Sequence, residues 1–111
     1  MGIKQKDIVL LPYPFTDLER TKVRPALVVS NDSLNKKSND CVMLPLTSVI
    51  KDEPYSILIN QDDLSSGKLL KQSCIKINKI FTVEKRLIVM KIGTLNNTTF
   101  EKIKSELMKV F

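Results

Sequence analysis

Six short apolar runs, each cut off by a polar or proline-bearing break, limit what this chain can fold into. They cover residues 8–11, 23–30, 41–46, 55–59, 73–77 and 87–92. Each is strand-sized, and the flanking Pro, Gly, Asn and Asp residues favour strands over buried helix segments. The second run has apolar residues at consecutive positions, so both of its faces should be covered. Pro45 inside the third run predicts an edge position or a bulge. Residues 31–40 read as a polar connector, and 61–70 as a loop or helical turn stopped at Gly67. Only the C-terminus has a helical period. Thr98 and Glu101 have capping-box spacing, and Phe100, Ile103 and Leu107 then fall on one face. Short strands with one terminal helix predict a mainly β fold with a C-terminal α-helix, one domain over residues 1–111. A small, strongly curved barrel removes exposed edges at this size.

Composition narrows the chemistry. Hydrophobic residues are 42% and charged residues 27%, a globular balance, and no apolar run approaches the length of a membrane span. The short polar start lacks a signal-peptide pattern, so the expected location is the cytoplasm. Cys41 and Cys74 sit in apolar runs without metal-type spacing, and there is no histidine. Zinc is therefore not expected, and both cysteines read as core thiols. A formal charge of +6 favours a polyanionic partner without naming one. Any acid–base step must proceed without the usual neutral-pH shuttle.

The unusual residue is Arg24, a charge at the mouth of an apolar strand and followed by Pro25. Taken alone it reads as a surface charge at a strand end, and Thr47-Ser48 as a turn whose hydroxyls bond the backbone. The surrounding blocks alter that reading. Asp7-Ile8-Val9-Leu10, Pro12-Tyr13-Pro14-Phe15-Thr16-Asp17, Arg24-Pro25-Ala26-Leu27-Val28-Val29-Ser30 and Leu46-Thr47-Ser48 occur in order. Leu69-Leu70-Lys71-Gln72-Ser73, Lys79-Ile80-Phe81-Thr82-Val83 and Lys91-Ile92-Gly93-Thr94-Leu95 follow. The series resembles the MazF/PemK family of toxins, and its PemK-like branch in particular.

That resemblance implies an SH3-like barrel forming a homodimer. It implies metal-independent endoribonuclease cleavage of single-stranded RNA, no cofactor, and inhibition by a cognate antitoxin. Arg24 and Thr47 match the family's catalytic positions, with Ser48 able to share or replace the role of Thr47. The chemistry suits these residue types. RNA carries its own nucleophile, the 2′-hydroxyl. A guanidinium can hold two phosphate oxygens and stays charged, while a hydroxyl can donate to phosphate. Glu19 or Asp17 is the expected general base. Phe15, Thr16, Asp17, Arg20, Thr21 and Lys22 are the expected RNA contacts. Where well-known members carry a Gly-Ser-Glu-Gln-like stretch, residues 16–22 contain no glycine. Two other readings stand beside the nuclease: a toxin that inhibits a protein such as DNA gyrase, as CcdB-type barrels do, and a catalytically degenerate RNA-binding relative.

Overall fold

The computed structural model describes residues 2–12 and 23–111. Strands β1 (Asp7–Pro12), β2 (Val23–Val28) and β3 (Asp40–Thr47) form the centre, with helix α1 (Asp32–Lys37) between β2 and β3. Then come β4 (Ser56–Ile59), β5 (Leu64–Gly67), β6 (Ser73–Lys76), β7 (Phe81–Glu84), β8 (Met90–Leu95) and helix α2 (Asn97–Met108). The pairing is antiparallel throughout, in the order β4-β6-β3-β2-β1-β8-β5, with β7 also on β3.

This order forces curvature. Strands β4 and β5 stand at opposite ends of it, yet only residues 60–63 separate them in the chain. A flat sheet would hold the end strands about 29 Å apart, at roughly 4.8 Å per neighbour. Ile59 and Leu64 are five residues apart, so their Cα atoms can be separated by at most about 18 Å. The sheet must therefore roll until its edges approach, as expected for a small barrel. Asn60 fixes the turn: its side chain accepts from the Asp62 N–H at 3.0 Å, while Asp63 accepts from the Asn60 N–H at 2.9 Å. Asp63 also accepts a 2.7 Å bond from the Thr99 hydroxyl, tying the closing turn to the start of α2.

Each face of the central strands meets its own apolar cluster. Ile8, Leu27, Leu44, Ile75, Phe100 and Ile103 belong to one, which α2 covers. Val9, Leu11, Ala26, Val28, Cys41 and Met43 belong to the other. This two-sided cover explains the consecutive apolar residues of the first two runs. Both cysteines are buried and free. Burial pushes the Cys41 thiol up to about 11, outweighing the opposing pull of the Lys85 ammonium.

Several expectations are corrected. The connector at 31–40 contains α1: Asn31 caps it by accepting the Leu34 N–H, and the buried Asn35 side chain bonds Ser30. Pro45 lies neither on an edge strand nor at a marked bulge but in central β3. There one flank of β3 changes partner, from β7 through Met43 to β6 from Leu46, so a missing N–H interrupts no ladder on that side. Residues 61–70 hold a single 3₁₀ turn and then β5. The last run begins with a 3₁₀ turn at Lys85–Leu87, and its strand starts only at Met90 and continues through Gly93 to Leu95. Helix α2 is capped by Asn96, whose side chain accepts the Thr99 N–H at 2.8 Å, so Thr98 already lies inside the helix. Among the described residues, no helix is long and apolar enough to cross a membrane.

Candidate active site at the strand ends

Strand pairing places the two principal candidates. Strands β2 and β3 pair through Val28↔Met43, Leu27↔Leu44 and Ala26↔Pro45. Two positions beyond the last pair stand Arg24 on β2 and Thr47 on β3, at equivalent register. The strand period of two puts both on the face of Ala26 and Pro45. On its other side Arg24 pairs with Leu11 of β1, and Thr47 pairs with Cys74 of β6. The ends of four strands therefore meet around these positions.

Arg24 is exposed, and no described residue offers it a hydrogen bond or a carboxylate. A guanidinium that no described residue engages is a ready binder of phosphate oxygens. Thr47 is half-buried. Its Oγ1 accepts the Val49 N–H at 3.1 Å, which fixes the hydroxyl and leaves its own proton to donate. This is the backbone-bonded turn expected of a Thr-Ser pair, and it also aims the donor. Ser48, the next residue, is exposed and lines an adjacent cleft.

The cleft has a volume of about 260 Å³. Its walls are the apolar Leu10, Val23, Pro25, Leu69, Leu70 and Ile92, with Ser48, Lys71 and Ser73 as polar members. No carboxylate among the described residues lines it. The wall from Leu69 to Ser73 carries no chemical signal in the sequence beyond its place in the family resemblance. Its position depends on Gln61, which sequence reasoning passed over. The Gln61 amide donates to the Gly67 carbonyl at 3.1 Å and accepts the Leu69 N–H at 2.8 Å, clamping the chain between β5 and the wall. The Ser73 hydroxyl donates to the Lys71 carbonyl at 3.0 Å and holds the other end. An exposed glutamine in a polar stretch carries no pattern that announces such a clamp.

Phe15, Thr16, Asp17, Glu19, Arg20, Thr21 and Lys22 lie outside the described residues. Among the described residues, no three His, Cys, Asp or Glu side chains converge as metal ligands.

A family model described as PemK-like, MazF-like toxin of type II toxin–antitoxin system matches residues 4–111. Solved structures share the fold. An endoribonuclease in complex with its cognate antitoxin, from a Mycobacterial species, is 20% identical, covers 97% of this chain and 93% of its own, and has a TM-score of 0.78. MazF from Deinococcus radiodurans is 17% identical over 99% of this chain and 96% of its own, with a TM-score of 0.75. The MazE-MazF structure from the same organism reaches 0.80 at 18% identity, covering 99% and 96%. No curated protein matches the chain.

Proposed function

The chain belongs to the PemK-like, MazF-like toxins of type II toxin–antitoxin systems, and from that premise we propose that it is an endoribonuclease acting on single-stranded RNA. The observation that carries this reading is the register that continues from Ala26↔Pro45 to Arg24 and Thr47. A guanidinium with no carboxylate partner among the described residues and an oriented hydroxyl are what a phosphodiester needs as its oxygens gain charge.

In this mechanism the RNA 2′-hydroxyl attacks its own phosphorus, and the bond to the 5′-oxygen of the next nucleotide breaks. The products are a 2′,3′-cyclic phosphate and a 5′-hydroxyl. Arg24 binds the non-bridging oxygens, and Thr47 donates to one of them. A carboxylate, Glu19 or Asp17, takes the proton from the 2′-hydroxyl, and the departing 5′-oxygen takes up a proton from Arg24 or from water, which then recovers one from solvent. No metal-generated nucleophile is required, because the substrate supplies its own. We infer further that the protein works as a homodimer and is silenced by a cognate antitoxin, as the similar Mycobacterial endoribonuclease is found with one.

The test is cleavage of a long unstructured RNA in excess EDTA, with the new ends identified chemically. Discrete cuts with cyclic phosphate ends are expected. Arg24→Ala should slow them by about a hundred- to a thousandfold while the protein stays folded. Intact RNA with the folded wild-type protein, across several sequences and free of antitoxin, would overturn the proposal.

A further inference from the structure

We propose that a lysine-ringed cavity at the end of the barrel opposite Arg24 and Thr47 is a second phosphate site, which anchors the flank of a long RNA. This goes beyond the cleavage site and rests on the nuclease reading only for the identity of the polymer.

The cavity has a volume of about 250 Å³ and lies between the segment before β1, helix α1 and the turn after β7. Lys4, Lys36 and Lys85 line it, with Asp32 the only acidic member and Ile3 the only apolar side chain. Strand register places it. Asn35 on its wall donates to the Ser30 carbonyl at 2.9 Å, just past the end of β2. Lys85 follows Glu84, which pairs with Asp40 at the start of β3. Arg24 and Thr47 stand at the other ends of the same two strands. Ser30 is six positions after Arg24, about 20 Å of strand at roughly 3.3 Å per residue. An RNA that fills only the cleavage site does not reach the cavity, whereas a longer one can.

Charge selects the occupant. Lys4 and Lys36 are exposed, and among the described residues neither ammonium has a hydrogen-bond or ion-pair partner. The Lys85 ammonium donates to the Asn35 carbonyl at 2.5 Å, which holds it at the wall with two further donors. The one carboxylate, Asp32, accepts the Gln5 N–H at 2.8 Å and forms no ion pair with any of the three lysines. Three ammoniums around one cavity repel one another, and an anion between them relieves that repulsion. Phosphate suits the place better than an acidic peptide. A phosphate contact needs only donors and charge, whereas a peptide interface also buries apolar side chains, for which Ile3 alone is offered. The exposed Lys37, next to Lys36, carries the positive surface past the rim, which favours a polymer over a single small anion.

The experiment removes charge at the cavity and, as a control, the same charge elsewhere. Lys4→Gln/Lys36→Gln is compared with wild type and with Lys102→Gln/Lys104→Gln, two exposed positions on α2. Thermal melts check each fold. Binding of 2′-O-methyl RNA, which lacks the nucleophile, is measured against salt for one long strand and one too short to span β2. On the long strand the cavity variant should bind about tenfold more weakly at roughly 0.2 M salt, with the slope of log K against log salt reduced by about 0.7 per lysine removed. On the short strand it should match wild type, and the control should stay within about twofold of wild type on both. Equal losses on long and short strands, a control as weak as the cavity variant, or unchanged long-strand binding would overturn the anchor. So would a loss confined to antitoxin affinity, or pyrophosphate bound at Lys85, followed by NMR, that the long RNA does not displace. If no RNA is cut but the long strand still binds through these lysines, the nuclease reading falls and the anchor stands. Cutting by wild type with no effect of the cavity variant on long-strand binding does the reverse.

Discussion

Gly67→Ala should cost this protein more stability than any change of similar size on its surface. Gly67 has φ +83, where a side chain costs roughly 1–2 kcal/mol. A Cβ there would lie 2.3 Å from Gly93 Cα and 2.3 Å from the Ile92 carbonyl oxygen. Both are backbone atoms, so no side chain can swing away, and β5 must lift from β8 by about an ångström. That movement strains the Gly67↔Gly93 pairing and the 3.0 Å bond from the Lys68 N–H to the Ile92 carbonyl. Losing two such bonds adds about 1–3 kcal/mol, for a total of roughly 2–5 kcal/mol. At this chain length the melting temperature should fall by about 10 °C or more. The assay is urea and thermal unfolding followed by circular dichroism, with Gly2→Ala as control, since nothing lies within 4 Å of a Cβ at Gly2. Gly93→Ala should be milder than Gly67→Ala: a Cβ there meets the movable tip of Leu64 at 2.8 Å and the Ser66 carbonyl oxygen at 2.9 Å, against 2.3 Å to two backbone atoms at Gly67, and Gly93 has no positive φ to strain. A loss below about 1 kcal/mol for Gly67→Ala, relative to the control, would refute the close-approach argument. RNA cleavage under native conditions should also weaken, because β5 runs directly into the cleft wall.

Gln61→Ala removes both bonds of the clamp at Gly67 and Leu69. It should cost about 1–2 kcal/mol, and native-state hydrogen exchange should show the Leu69 amide opening well before the core strands. Cys41 predicts an alkaline limit. Its folded pKa, about 11, is raised above the ordinary 9.0, so the unfolded chain loses its proton first. The stabilisation is whole below about pH 9 and is lost as the pH rises toward 11. At about 1.4 kcal/mol per pK unit this amounts to roughly 3 kcal/mol. Cys41→Ala should remove that part of the fall in stability between pH 8.5 and 11, and unchanged slopes would count against it.

What could be read from the sequence follows the length over which its signals act. β1, β2 and β3 were legible because consecutive apolar residues, closed by Pro12 or Asn31, report burial on both faces locally. α2 was legible because Phe100, Ile103 and Leu107 repeat at helical spacing. β5 was not, since Leu64-Ser65-Ser66-Gly67 offers one apolar side chain, and the strand exists through its pairing with β8. α1 was missed because a six-residue polar helix has no apolar stripe; its anchor is the single buried Asn35. β7, only Phe81–Glu84, is too short for its apolar pattern to announce a strand. Its four residues take their place from the ladder to β3, in a register no local pattern reports.

The candidate site divides along the same line. Arg24 stands out in sequence because a charge before proline at a strand mouth is locally odd. Its equivalence with Thr47, twenty-three residues away, exists only once β2 and β3 have a register. The cleft is more remote still: its walls come from β1, β2, β8 and the segment after β5. Those elements converge because the turn at residues 60–63 is too short to let the sheet lie flat. A polar linker of four residues, unremarkable in sequence, thus decides whether a cleft forms at the strand ends that carry Arg24 and Thr47. Lengthening that turn with flexible residues should therefore loosen the wall at Leu69 before it disturbs the register of Arg24. In native-state hydrogen exchange the Leu69 amide should open first, and the β2–β3 ladder last.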